Sequence, residues 1–204
     1  MKNSQFTNEV FKIMALEKTF IQVKFNFIVS CFFLTLLPTF VIAQSISGKN
    51  GQRDFDFEIG DWKTKLKVLK NPLSGSTTWV EYEGTSKVIA ICNGNSNLVE
   101  LNVKGSGGQI IGVSLRLFNP KTNQWSLNFA NIKDGNLATP SIGSFKDGRG
   151  EFFNEDTFDG KKILVRFVIS AITPSSCHFE QAFSTDNGKT WEVNWIAEDT
   201  RIKS

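Results

Sequence analysis

The chain has 204 residues, is 40% hydrophobic and 21% charged, and carries a formal net charge of +3 at pH 7. Four of its lysines and two of its glutamates precede residue 44, so the remainder is close to neutral. With no basic stripe and no block of like charge, it argues against nucleic acid or an anionic membrane surface as partner.

The first segment reads as a secretory signal peptide. Lys24 flanks an apolar run from Phe25 to Leu37, Pro38 follows, and Val41-Ile42-Ala43 supplies the small residues of a cleavage site, with cut after Ala43. Asn26, Ser30, Thr35, Pro38 and Thr39 dilute the run below what a membrane anchor needs, so no span is expected after cleavage. Cys31 lies inside the apolar run, which disfavours a lipoprotein. Met14, followed by Lys18 and Lys24, makes a more ordinary start than Met1. The expected destination is the periplasm or the medium. Residues 44–53 are polar and read as a flexible arm, leaving 54–204 as one domain with a real core.

Asp54 to Gly60 reads as one short helical turn, Asp54 capping its start and Gly60 ending it, with Phe55 and Ile59 placed to plug a barrel end. Alternation then predicts about ten strands, over 62–68, 77–91, 97–104, 109–118, 124–132, 137–145, 150–158, 161–173, 177–184 and 190–200. From residue 93 onward a Gly/Asn/Asp/Pro signal recurs every 12 to 15 residues, as at Asp147-Gly148 and Asp159-Gly160. Gly84 reads as a kink or bulge. Short strands without helices between them predict an antiparallel up-and-down barrel, because closure hides both edges. Inward faces are expected at Trp62, Thr64, Leu66 and Val68, at Val99, Leu101 and Val103, and at Ile111, Val113, Leu115 and Leu117. The same holds for Ile163, Val165, Phe167, Ile169 and Ala171, and for Trp191, Val193, Trp195 and Ala197.

Few residues point to chemistry. Ser184-Thr185-Asp186-Asn187-Gly188-Lys189-Thr190-Trp191 fits the Asp-box pattern, in which Asp186 accepts backbone N–H groups, Gly188 takes positive φ and Trp191 folds under the turn. Sialidase propellers carry several copies of that box, which raises a glycosidase alternative. One copy reads as a structural lock. His178 is the single histidine and is expected on a solvated face with Glu180, Ala182 and Ser184. No spacing suits a metal, and the phosphate-loop, dinucleotide and nucleophile-elbow motifs are missing, so no cofactor is expected. Arg116 and Arg166 each interrupt a β-run, either to clamp a ligand carboxylate at the mouth or, as strict alternation favours, to face water. Glu180 joins them as a polar candidate for the interior. Trp62 and Trp195 are expected at the barrel floor, Trp79 and Trp125 at the mouth. Cys92 and Cys177 both fall at strand ends; a disulfide would contribute ~4 kcal/mol on the chain-entropy model, with two free thiols as the alternative.

Phe55-Asp56-Phe57-Glu58-Ile59-Gly60-Asp61-Trp62, Leu115 through Trp125, Phe179 through Ser184, Asp186 through Trp191 and Asp199-Thr200-Arg201 together resemble a group of small bacterial proteins with a lipocalin-like (calycin) barrel. Gly60-Asp61-Trp62 is similar to the lipocalin G-x-W signature, which implies a cation–π contact between Trp62 and Arg201 on the floor. The resemblance carries no catalytic residue across, and calycins bind small apolar molecules such as fatty acids, retinoids or haem.

Together these features predict an exported barrel that binds a small apolar or amphipathic molecule without catalysis. Two alternatives stand beside it. One is a lipocalin-like isomerase or cyclase acting on a hydrophobic substrate, marked by a buried acid of raised pKa. The other is a filled barrel that presents an apolar outer patch to a protein partner.

Overall fold

The computed structural model describes residues 51–203, so the signal-peptide reading and most of the arm lie outside the described residues. Ten antiparallel strands form: β1 Gly60–Leu69, β2 Trp79–Ile91, β3 Ser96–Gly105, β4 Gly108–Asn119, β5 Gln124–Asn131, β6 Ser141–Lys146, β7 Arg149–Phe158, β8 Lys161–Ser170, β9 Ser176–Ser184 and β10 Glu192–Arg201. Each pairs with the next. β10 returns to β1, from Trp62 opposite Arg201 to Val68 opposite Trp195, and closes the barrel. The turns between them are tight because Asp147 and Asp159 take φ of 52° and 47° and the glycines after them 76°. Positive φ at both central residues matches the twist of the flanking strands.

The sixth strand is shorter than expected, beginning at Ser141 rather than near residue 137, just after Pro140. Only three residue pairs, Trp125–Gly143, Ser126–Ile142 and Leu127–Ser141, join β5 to β6. That is the thinnest seam of the wall.

Gly84 is not a bulge. It pairs with Thr64 on one side and Val103 on the other in unbroken register. Its role is close approach: a Cβ there would sit 2.0 Å from the Asn102 carbonyl oxygen and 2.8 Å from the Val103 Cα. The register slips instead in β10, between Val193 and Trp195. Gly84→Ala should therefore destabilise the barrel by about 2–3 kcal/mol, the usual scale of overpacking, read from urea unfolding. Unchanged stability would mean that β2 and β3 separate freely at this point.

The parity of β4 is opposite to that expected. Gly112, Ser114 and Arg116 face the interior, while Ile111, Val113 and Leu115 face out and Leu117 is 41% exposed. Register aligns Ile89, Leu98 and Leu115 across three strands, so an apolar outer stripe lies there. The cause is an interior demand for a cation at Arg116, described below.

Cys92 and Cys177 are both free, the first exposed and the second buried. Cys177 faces Asp199, which faces Thr64, which faces Gly84. Cys92 lies eight residues further along the chain from Gly84, roughly 25 Å at the rise of a strand, far beyond disulfide reach. Burial, with the charges of Glu58 and Asp199, pushes the Cys177 thiol up, so it behaves as an inert small hydrophobe.

Candidate functional site

One end of the barrel is closed by the segment that leads into β1. Residues Asp56–Glu58 make a single 3-10 turn started by Phe55, and Asp54 does not cap it. Phe55 is buried between Trp125 and Phe145, with ring centroids 4.9 and 5.0 Å away and both pairs edge-on. Trp125, expected at the mouth, is thus part of the floor. Its indole N–H donates to the Gly51 carbonyl at 2.9 Å.

Trp62 is fully buried and donates its indole N–H to the Glu58 carbonyl at 2.6 Å. The Arg201 guanidinium lies 4.1 Å over its ring. Arg201 also donates to the carbonyls of Ile59, Phe57 and Pro174, so it ties the entering segment to the floor.

Above this floor, Glu58 and Arg116 form a buried bidentate ion pair, Nη1 to Oε2 and Nη2 to Oε1 at 3.2 Å. The Arg116 guanidinium lies 4.4 Å over the Phe55 ring. Its Nε–H finds no acceptor among the described residues. Strand alternation favoured water for Arg116; the 3-10 turn supplies the partner that lets it enter the interior. With its charge engaged, Arg116 is not a free clamp for a ligand carboxylate.

Asp199 is the group that the sequence reading passed over. It is 5% exposed and accepts a hydrogen bond from the Thr64 hydroxyl, which lies 2.7 Å from the Ser86 hydroxyl. Burial pushes its carboxyl up to about 7, and the Glu58 charge adds to the shift, while the Thr64 bond and Arg116 oppose it. A signal for it existed: Asp199 falls two residues after Ala197, on the inward parity of β10.

These polar groups border a cavity of about 330 Å³. Leu66, Val99, Leu101, Leu127, Ile163 and Val165 line it with aliphatic surface, and Phe129, Phe158, Phe167, Phe179, Phe183 and Trp195 with aromatic surface. Thr139, Asn154, Asp156 and Thr157 give its rim a polar character next to the thin β5–β6 seam. The volume is at the lower end of the range of ligand sites, roughly 300–1,000 Å³.

The other candidates lie elsewhere. Trp79 sits half-buried at the start of β2, opposite Leu69, and does not line the cavity. Arg166 and Glu180 point outward, 3.7 Å apart, because they occupy the parity opposite to Val165, Phe167 and Phe179. Arg166 stacks 4.5 Å over Trp191, which is therefore outside the barrel rather than on the inner face of β10. His178 joins this outer cluster, its Nδ1 2.6 Å from Glu198 Oε1. In the β9–β10 hairpin the Ser184 hydroxyl donates to Asp186, and Asp186 accepts from the Thr190 N–H at 2.9 Å and the Thr190 hydroxyl at 2.7 Å. Gly188 donates its N–H to the Ser184 hydroxyl at 2.8 Å and takes a φ of 83°. The bonds from Thr190 and Ser184 hold the Asp186 carboxyl well below the usual carboxylate range.

No family model matches the chain. None of the curated proteins matches it either. Among solved structures, it is similar to the S-type phycobiliprotein lyase CPES from Guillardia theta, at 11% identity and a TM-score of 0.50, over 74% of this chain and 91% of that one. Two designed proteins also align. One is the redesigned barrel mFAP0 bound to DFHBI, at 11% identity and a TM-score of 0.40, over 71% and 99% of the two chains. The other is a fluorescence-activating β-barrel designed de novo, at 12% identity and a TM-score of 0.36, over 74% and 98%. At 11% identity the likeness to the lyase is one of fold alone.

Proposed function

We propose that this protein binds a small apolar or amphipathic molecule inside a lipocalin-like barrel, and that it does so after export from the cytoplasm. The observation that carries the proposal is the cavity of about 330 Å³, walled by aromatic and aliphatic side chains and floored by a few polar groups. Apolar walls supply affinity through buried area, and sparse polar groups fix orientation. The 3-10 turn with Phe55 serves as the plug of the closed end. The hairpin 184–191 is an Asp-box in a structural role. Export rests on the n-, h- and c-region pattern of residues 1–43.

A small solvatochromic naphthalene dye should bind saturably, with blue-shifted emission. Val165 and Val99 both line the cavity, so the double replacement Val165→Phe with Val99→Phe should weaken that binding at least tenfold. Circular dichroism would confirm that the variant keeps its strands. Undiminished dye binding by the filled variant would place the dye outside the barrel and remove the proposal.

A second reading, catalysis by shape and one acid on a hydrophobic substrate, is favoured by Asp199, whose carboxyl is buried and raised to about 7. It is the weaker of the two, because among the described residues no second proton carrier stands beside Asp199 within the cavity: Glu58 is bound to Arg116, and His178 is outside.

A further inference from the structure

We infer that the ligand is an apolar amine, its ammonium group seated on Asp199 and its hydrocarbon body against the aromatic wall. This rests on the reading of the interior as a ligand site and adds the chemical class.

Charge balance within the cavity leads to it. Glu58 and Arg116 cancel each other in a bidentate pair. Asp199 remains, 5% exposed, holding one hydrogen bond from a neutral hydroxyl and forming no ion pair among the described residues. A buried carboxylate without its own cation is costly, and Arg116, the cation whose charge reaches it, is already paired with Glu58. The surrounding wall has the chemistry that suits a cation. Phe129, Phe167, Phe179, Phe183 and Trp195 are aromatic residues, a class whose ring faces attract cations, and the rim adds a further carboxylate, Asp156. A ligand carboxylate would meet the opposite situation: Arg116 is already engaged, and among the described residues no other lysine or arginine lines the cavity. An ammonium thus completes the ion pair that the fold leaves half-made.

Proton uptake and release give the inference a pH signature. The groups facing Asp199 are Thr64 from β1, Ser86 from β2, Arg116 from β4, Cys177 from β9, Glu58 from the 3-10 turn and its neighbour Glu198 on β10. Of these, only Arg116 favours the ionised form electrostatically. Near pH 7 part of the population therefore carries a neutral Asp199. Binding of an ammonium ionises that carboxyl and releases its proton to solvent, while the ligand keeps its own. Amine affinity should fall as pH drops below about 7.

The test is a series of equal chain length, n-octylamine, n-octanol and n-octanoate, competed against the naphthalene dye on the purified protein at pH 8. Octylamine should bind at least tenfold more tightly than either of the others. Asp199→Asn keeps the Thr64 hydrogen bond and should abolish the preference for octylamine over octanol, both affinities being measured by competition with the dye on that variant. Calorimetry at pH 7 in two buffers of different ionisation enthalpy should report proton release with octylamine, and none in Asp199→Asn. Equal affinity for octylamine and octanol with the dye still bound would overturn this inference alone. A preference for octanoate would also overturn it. Failure of the dye to bind the unaltered protein would remove the interior site, and this inference with it.

Discussion

Replacing Glu58 with alanine should destabilise the barrel by about 3–5 kcal/mol, the cost of leaving a buried charge without its partner. Arg116 has nowhere else to turn. It is 4% exposed, its Nε–H already finds no acceptor among the described residues, and Phe55 covers its face at 4.4 Å. Arg116→Ala should cost a similar amount by stranding the Glu58 carboxylate. Against a total stability of about 5–15 kcal/mol, either loss is large. The pair itself is worth much less than the sum of those losses, because both ions were stripped of water to form it. The apolar double variant Glu58→Leu with Arg116→Met should therefore recover most of the stability, and urea unfolding of the parent, the two alanine variants and the double alanine variant gives the coupling. Single variants that each lose under 1 kcal/mol would show that water reaches the pair and that the floor is not dry.

This ion pair also explains which parts of the architecture sequence alone could reveal. Strand existence was legible because alternation and Asx-Gly turns are local signals, and all ten strands overlap the segments those signals mark, with β6 starting later and β8 ending sooner than expected. The outer stripe of β4 was not. Ile111, Val113, Leu115 and Leu117 form the more apolar face, yet they lie outside, and Gly112, Ser114 and Arg116 lie within. Parity there is decided by Glu58, a residue 58 positions away in the chain, through a hydrogen bond with no local signature. Trp125 was misplaced for the same reason: its partners are Phe55 and the Gly51 carbonyl, both supplied by the segment before β1. Arg166 and Glu180 fall outside by simple alternation from Val165 and Phe179, so periodicity describes them correctly and only the functional reading fails. The Trp62–Arg201 contact came from the family resemblance rather than from pattern, and the two residues stand directly opposite across the β1–β10 seam. Asp199 shares the inward parity of Ala197, but an aspartate so close to the chain end reads as solvated until the barrel closes over it.

Asp199 is expected to make the protein less stable as pH rises from 4 to 8. Its carboxyl lies at about 7 in the folded chain against 3.8 for an ordinary aspartate. A group raised on folding stabilises fully while both states are protonated, and that contribution is lost as pH climbs through the folded value. Three pH units correspond to about 4 kcal/mol at most. Asp186 works with the opposite sign: held low by Thr190 and Ser184, it contributes above the ordinary aspartate range and loses that contribution in acid. The two therefore act in separate windows, Asp186 below about pH 4 and Asp199 above it. Thermal or urea unfolding of Asp199→Asn should be nearly flat between pH 4 and 8, so the variant gains on the parent protein steadily and is the more stable of the two at pH 8. Octylamine at saturation should remove the slope from the parent protein as well, because the bound ammonium keeps Asp199 ionised at no further cost. Parallel profiles for the two proteins across this range would mean that the carboxyl is hydrated in the folded state, and a hydrated carboxyl needs no cation to complete it.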